Sequence, residues 1–313
     1  MSTSTVIAAA VQAAPVFLDR DATAAKAARL TKEAAANGAG LVVFPETFVP
    51  AYPDWVWRTT PWKDPAWYQR YYNQSVRVPG PTTETLAAAA AEAEAWLCIG
   101  VTERDGGTLY DTLLYFAPDG TLAGHRRKLM PTGAERLVWG QGDGSGLGVL
   151  ETPFGRLGGL LCWENYMPLA RAALYAQGID VHLAPTWDNS DAWVPTLRHI
   201  AKEGRVHVIG VTFCLRGSDI PRTLPGVDEL YGGDDDWLAR GNTTIVGPEG
   251  EILAGPLEGT EGIVYAEIDT RRARASRRLF DPVGHYARPD VLRLVVDRTA
   301  RAAAVFARSG ADP

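Results

Sequence analysis

Three reactive side chains in this chain stand where apolar or strand-like runs end. Cys162 lies in GGLLCWENYMPLAR, residues 158–171, where an apolar run gives way to a polar, helix-starting one. Leu160 and Leu161 read as the end of a buried strand, and Pro168 suits the first turn of a helix, where its missing N–H costs nothing. A thiol at such a corner sits at the edge of a sheet, where backbone N–H groups can face a reacting atom. The other reading is a structural cysteine, since free cysteine is among the most buried residue types. Glu46 closes LVVFPE and opens an irregular loop. Its carboxylate therefore stands at the carboxyl edge of a sheet, where active sites of open α/β folds gather. It is placed there to act as a base, or to cap a neighbouring helix. Lys128 ends the strand of HRRKLMPT before a proline turn. It is either a cation projecting into the same edge or a solvated lysine. Glu135 follows in a glycine-rich segment containing Gly140, Gly142, Gly144, Gly146 and Gly148, and loops of that kind fold over sites.

The elements that must position these groups alternate in type. Residues 5–12 (TVIAAAVQ) predict a strand, and 21–37 a helix with Asp21 as its N-cap and Gly38 just past its end. LVVFPE, 41–46, predicts a buried strand, followed by a proline- and aromatic-rich loop over 50–81. A second alanine-rich helix covers about 83–95, and WLCIGVTE, 96–103, is a strand. Three hairpins are predicted at Pro118–Gly120, Pro153–Gly155 and Pro248–Gly250, each turn flanked by β-type runs. Helices at about 168–177 and 191–204 separate strands at 179–186 and 206–215. Helix–strand alternation mixed with hairpins implies mixed sheets, two of them packed face to face with helices outside. No linker composition interrupts residues 1–313, so one domain is expected, with a core over about 5–280 and a tail over about 281–313.

Bulk properties exclude several classes. The 313 residues are 46% hydrophobic and 22% charged, the profile of a globular chain with ample length for a core. A net charge of −6 gives no electrostatic case for nucleic acid or an anionic membrane as partner. No apolar stretch has the length of a membrane span, and the N-terminus lacks a basic n-region, so no signal peptide is expected. Cys98, Cys162 and Cys214 are too few and too scattered for a disulfide framework and suit a reducing cytoplasm.

Other candidates read as structural. His125, His182, His199, His207 and His285 lack paired metal spacing. His182 is expected in the core and His199 in a structural role on a helix. Cys98 and Cys214 read as packing residues. Arg126 and Arg127 read as surface or ion-pair residues, and Asp234–Asp236 as a solvated loop. RRARASRR, 271–278, predicts a helix with a charged outer face or an oligomer contact. Trp55, Trp57, Trp62, Trp67 and Tyr68 crowd the loop after Glu46, while Trp187 and Trp193 flank the strand end after Cys162. Such aromatics either line an apolar pocket or anchor loops.

Glu46, Lys128 and Cys162 occur in the order E…K…C within FPETF, HRRKLMPT and CWENYMPLAR, with ERLVWGQGDGS between the last two. Together with VPGP (78–81), APTWD (184–188), LRHIAKEG (197–204) and DPVGHYARPDV (281–291), these strings resemble the nitrilase branch of the carbon–nitrogen hydrolase superfamily over nearly the whole chain. The resemblance implies an α/β fold, a four-layer α-β-β-α sandwich with two mixed β-sheets. It also implies a homodimer that builds to a larger homo-oligomer or spiral. By the same resemblance Cys162 is the nucleophile, Glu46 the general base, Lys128 the electrostatic stabiliser, and Glu135 a second glutamate that positions groups or transfers protons. The backbone N–H of Trp163 would assist Lys128, and Trp187 and Tyr52 are read on the substrate side. The implied reaction takes a nitrile and water to a carboxylic acid and ammonia through a thioimidate and an acyl thioester, with no metal or organic cofactor. The aromatic loop points to aryl or arylacetonitrile substrates. A cyanide dihydratase or hydratase, an amidase of the same superfamily, and a non-catalytic oligomeric scaffold are the competing readings.

Overall fold

The computed structural model describes residues 4–232, 236–302 and 304. In chain order the first half contains β1 (Thr5–Gln12), α1 (Arg20–Ala36), β2 (Leu41–Val43), α2 (Pro65–Gln74), α3 (Pro81–Ala93), β3 (Trp96–Asp105), β4 (Thr108–Phe116) and β5 (Leu122–Arg127). The second contains β6 (Leu150–Thr152), β7 (Gly155–Gly159), α4 (Pro168–Tyr175), β8 (Val181–Pro185), α5 (Trp193–Gly204), β9 (His207–Val211), β10 (Leu215–Arg216), α6 (Val227–Leu230), β11 (Trp237–Ala239), β12 (Thr243–Val246), β13 (Ile252–Leu257), β14 (Gly262–Asp269) and α7 (Thr270–Ser276). One sheet runs β14-β1-β2-β3-β4-β5 and the other β13-β12-β9-β8-β7-β6. Each has parallel strands at its centre and antiparallel strands at its edges.

The layering follows from strand alternation. Ala8 and Ala10 of β1 face inward with Leu41, Val43, Cys98 and Leu113, against Leu157, Val181, Leu183, Ile209 and Ile245 of the other sheet. Ala9 and Val11 face outward with Val42, Leu97, Ile99 and Leu114, and pack on Ala27, Ala34, Leu86 and Ala90 of α1 and α3. On the other side Ala184, Val208 and Val246 meet Ala173, Leu174, Leu197 and Ile200 of α4 and α5. Both faces of each sheet are thus covered, as the continuous apolar runs require. Burying each Val, Leu or Ile contributes about 1.5–3 kcal/mol. The expected α-β-β-α sandwich of two mixed sheets is the observed fold.

Several boundaries differ from expectation. Asp19, not Asp21, caps α1: its side chain accepts the Ala22 N–H at 3.0 Å, while Asp21 pairs with Arg20. LVVFPE is β-structure only over Leu41–Val43. The loop over 50–81 contains α2, whose start carries proline at its first position and whose buried side is Trp67 and Tyr71. The basic stretch after β14 forms α7, but Arg274 turns to Asp180 at 2.8 Å instead of facing outward alone. Of the acidic run, Asp234 and Asp235 lie outside the described residues. Among the described residues, no helix is long and apolar enough to cross a membrane.

Candidate active site

Each of the three strand ends is fixed by backbone contacts. Glu46 lies three residues past β2, in a segment laid flat on β3: Phe44 N–H donates to Cys98 O at 2.8 Å, and Gly100 N–H to Pro45 O at 3.1 Å. Any side chain at position 100 would meet Thr47 N at 2.3 Å and Pro45 O at 2.5 Å, so glycine there is what lets Glu46 approach. Lys128 follows β5 directly, and its N–H donates to Asp111 O at 2.7 Å. Cys162 opens a 3-10 turn over Cys162–Tyr166, at φ +49°. That left-handed backbone costs a non-glycine residue about 1–2 kcal/mol and turns the side chain out of the line of the strand. Glu164 ties this turn to the lysine strand. It accepts Leu161 N–H at 2.8 Å and Leu129 N–H at 2.7 Å, and both guanidinium arms of buried Arg126 at 2.8 and 2.6 Å.

The side chains converge on one buried cation. Lys128 Nζ donates to Glu46 Oε1 at 2.6 Å and to Glu135 Oε2 at 2.9 Å, and lies 3.3 Å from Asp111 Oδ2. Glu46 Oε2 accepts the Trp187 N–H at 2.9 Å. Glu135 Oε1 accepts the Tyr52 hydroxyl at 2.8 Å, and its Oε2 also accepts Thr132 N–H at 2.6 Å. Carboxylate oxygens of Glu46 and Glu135 and the Cys162 sulfur all lie within 4.8 Å of one another. Thr186 Oγ1 donates to that sulfur at 3.2 Å. Two carboxylates and a thiol are a conceivable metal donor set, but the ammonium of Lys128 already occupies the cation position between them, and a metal ion would have to share it.

Burial pushes the Cys162 thiol well above its usual pKa; the Glu46 carboxylate adds to this, and Lys128 opposes it. The resting sulfur is therefore a thiol, and attack requires a base beside it. Burial alone would lower Lys128, but the carboxylates of Glu46 and Glu135 outweigh it and hold the ammonium charged. Burial and the Glu46 charge raise Asp111 well above the carboxylate range. The constellation can deprotonate a thiol as it attacks an electrophile and can stabilise the negative atom that results.

Comparison with known proteins agrees with this chemistry. The model of the carbon–nitrogen hydrolase family matches residues 7–278. The chain belongs to the carbon–nitrogen hydrolase family. It is a hydrolase of carbon–nitrogen bonds. An aliphatic nitrilase of Sinorhizobium fredii (strain HH103) is 49% identical to it over 304 residues, 95% of this chain and 97% of that protein. A bifunctional nitrilase/nitrile hydratase of Nicotiana tabacum is 42% identical over 307 residues, 94% of this chain and 87% of that protein. The crystal structure of a carbon–nitrogen hydrolase from Helicobacter pylori G27 shares the fold, with a TM-score of 0.72 at 23% identity over 93% of this chain and 97% of that one.

In this carbon–nitrogen hydrolase the cluster lies at the floor of a cleft of about 500 Å³, bordered by Tyr52, Trp57, Glu135, Cys162, Trp163 and Trp187. Glu46 and Lys128 are fully buried beneath it. The tryptophans divide between the two expected roles. Trp57 borders the cleft, donating to the Tyr52 hydroxyl at 3.0 Å, and Trp187 stacks on Tyr52 with ring centroids 4.4 Å apart. Trp55 and Trp67 pack together in the core and anchor the loop; Trp62 points into solvent. Trp193 is buried under α5 and has no part in the cleft, because helix α5 turns it onto the outer face of the second sheet. The glycine-rich segment does not cover the cleft. It runs beside the lysine strand, where Gly142 N–H donates to Lys128 O at 2.7 Å and a side chain at 142 would meet Arg127 O at 2.5 Å. His182 is buried as expected, against Asn165 Oδ1 at 2.7 Å, whereas His199 is exposed and pairs with Glu203 at 2.9 Å. Asp111, Thr186 and Glu164 are site residues that the sequence reading passed over. The signal for Asp111 is an acidic residue inside the apolar strand LYDTLLYF, where aspartate is disfavoured unless a partner awaits it.

Proposed function

We propose that this carbon–nitrogen hydrolase is a nitrilase, converting an organic nitrile and two waters to a carboxylic acid and ammonia. The observation that carries the reading is the buried Cys162 sulfur lying within 4.8 Å of a Glu46 carboxylate oxygen, in a carboxylate that the buried Lys128 ammonium holds at 2.6 Å. Names of relatives at 42–49% identity support the nitrile as electrophile. Glu46 takes the thiol proton as sulfur attacks the nitrile carbon, and the proton passes to nitrogen to give a thioimidate. Lys128 and the Trp163 N–H stabilise the negative atom of each tetrahedral species. Water, deprotonated by Glu46, attacks; ammonia leaves, and an acyl thioester remains. A second water releases the acid and restores the thiol. Glu135 holds Lys128 and, with Tyr52, orients it toward the cleft.

The aromatic walls formed by Tyr52, Trp57, Trp163 and Trp187 favour an aryl or arylacetonitrile side chain. An aliphatic nitrile is the second reading, favoured by the name of the Sinorhizobium relative. Ammonia and acid release should be measured over phenylacetonitrile, benzonitrile, an aliphatic dinitrile, cyanide and the matching amides. We expect kcat/KM for the aryl nitriles to exceed that for the dinitrile by about tenfold or more. The reverse order would establish the aliphatic reading, and turnover of amides alone would overturn the nitrilase assignment. The amide fraction among products reports early collapse of the tetrahedral species.

We further propose that two copies pair side by side through the outer helices and build to larger oligomers. Leu169 of α4 is 68% exposed beside Tyr166 and Met167, and Val291, Leu292 and Val295 of the tail are also exposed. Large apolar side chains left exposed in this way favour a surface covered by a second copy. Light scattering is expected to give a mass well above 33.8 kDa for the native chain and a smaller one for Leu169→Asp. A monomeric native chain would sink this pairing. Three cysteines without disulfide partners support a cytoplasmic location.

A further inference from the structure

Three carboxyl groups face one ammonium in the floor of the cleft, and only two of them are matched by donors. Glu46 and Glu135 each have both oxygens engaged, by Lys128, Trp187 N–H, Tyr52 and Thr132 N–H. Asp111, fully buried on β4, has neither oxygen in a hydrogen bond from a donor. Lys128 Nζ lies at 3.3 Å from it, and the Glu46 carboxyl, 2.6 Å from that same Nζ, is the acidic neighbour that acts on it most strongly. With Glu46 and Glu135 ionised, the cluster already carries one more negative than positive charge. A third carboxylate, buried and without donors, would be costly. Two carboxyls in contact share a proton instead, and then one of them becomes a donor.

We propose that Asp111 is a positioning residue that carries a proton in the resting enzyme and donates it as a hydrogen bond to Glu46. The inference rests on the reading of Glu46 as the base. The Asp111–Glu46 pair holds one proton at rest and takes a second from Cys162 during attack. The hydrogen bond aims Glu46 and leaves the ammonium shared between Glu46 and Glu135 only. The charged or titratable groups facing the pair are Lys128 from the end of β5, Glu135 from the following turn, Cys162 from the turn after β7, Tyr52 from the loop after β2, Tyr71 from α2 and Arg126 from β5.

Two substitutions separate a protonated Asp111 from an ionised one. Asp111→Asn keeps a donor toward Glu46 and cannot ionise; Asp111→Leu fills the space without a donor. We expect Asn to retain kcat within about threefold and Leu to lose on the order of tenfold or more in kcat at little change in KM. In the Leu variant the acid limb of kcat/KM moves to higher pH, since a carboxylate that loses a donor binds its proton more tightly. An ionised Asp111 predicts the opposite: Asn as damaging as Leu, and the limb moving to lower pH as a negative charge is removed. Either of those results, or no effect in both variants, overturns the proposal. Infrared difference spectra of native against Asn protein at neutral pH provide a readout independent of turnover and of how well the Leu variant folds. The carbonyl stretch of a protonated carboxyl is expected in the native protein and absent from the variant, and its absence from both overturns the proposal. A native enzyme inactive on nitriles would end the nitrilase reading without touching this spectral result.

Discussion

Cys162→Ala is expected to abolish ammonia release from every nitrile, by at least about 10⁴-fold in kcat, with the fold retained. The side chain lost is small, and its one hydrogen bond, from Thr186 Oγ1 at 3.2 Å, goes to a weak sulfur acceptor. The turn around it is held by groups that the substitution leaves in place: Glu164 on Leu161 N–H, and Asn165 Nδ2 on Leu160 O at 2.8 Å and Cys162 O at 2.9 Å. Thermal unfolding should therefore shift by no more than an ordinary point substitution allows, about 1 kcal/mol. Cys162→Ser keeps the geometry but offers a hydroxyl far harder to deprotonate, and is expected to be as inactive. Alkylation supplies a second readout. Burial pushes the resting thiol up, so iodoacetamide modification of Cys162 should be slow at neutral pH and accelerate as pH rises beyond the usual thiol range. Peptide mapping distinguishes it from Cys214, whose thiol burial raises to about 11. Ammonia release by purified Cys162→Ala would remove Cys162 from the chemistry altogether.

What could be read from the sequence was local. Pro118–Gly120, Pro153–Gly155 and Pro248–Gly250 are turns whose residue types suffice to fold them, and hairpins β4–β5, β6–β7 and β12–β13 stand on either side. Glu46, Lys128 and Cys162 stand out as candidates because each is a reactive residue just beyond a strand-forming run, and the fold brings their side chains together. Features set by distant partners were not legible. Helix α2 is built from PAWYQRYYNQ, whose aromatic residues have modest helix propensity; it is fixed by Trp67, whose indole N–H donates to Pro225 O at 2.8 Å and whose ring packs on Tyr231, partners far along the chain. The glycine-rich segment has no period to say which surface it follows, and it lies along β5 because glycines at 142 and 146 admit the strand's own atoms. For Trp193 the sequence leaves pocket lining and anchoring both open; it is an anchor, because it shares the buried stripe of α5 with Leu197, Ile200 and Ala201.

The same distinction explains Glu164. Within CWENY it is one acidic residue among polar neighbours, with nothing to tell it from a solvated side chain. In the fold it accepts four hydrogen bonds, two of them from a guanidinium 38 residues away. Through it the turn bearing the thiol is tied to the strand end bearing the ammonium. The clustered groups come from three strand ends in two different sheets, so their spacing depends on such cross-sheet ties more than on any single element.

Lys128→Met should lower kcat by on the order of a hundredfold or more with KM nearly unchanged, because the ammonium acts on charge that develops only as the nitrile or thioester is attacked. Methionine keeps the length and apolar body of the side chain, so the loss is one of charge and donors. The consequence for the neighbours has a definite sign. Glu46 and Glu135 would face each other without their cation, and like charges raise one another's proton affinity. The acid limb of kcat/KM therefore moves to higher pH in the variant, and the residual activity peaks at more alkaline pH than in the native enzyme. Stability falls as well, since removing one partner of a buried ion pair costs about 3–5 kcal/mol when the other stays charged. Uptake of protons by the carboxyls offsets part of that, so the variant is expected to regain stability as pH is lowered. Lys128→Arg does not restore function. Its planar fork needs more room than a fully buried point charge held at 2.6 and 2.9 Å by two carboxylates. Single-turnover kinetics across pH, paired with thermal unfolding at the same pH values, test every part of this. A change confined to KM would show that Lys128 binds substrate without stabilising its attack.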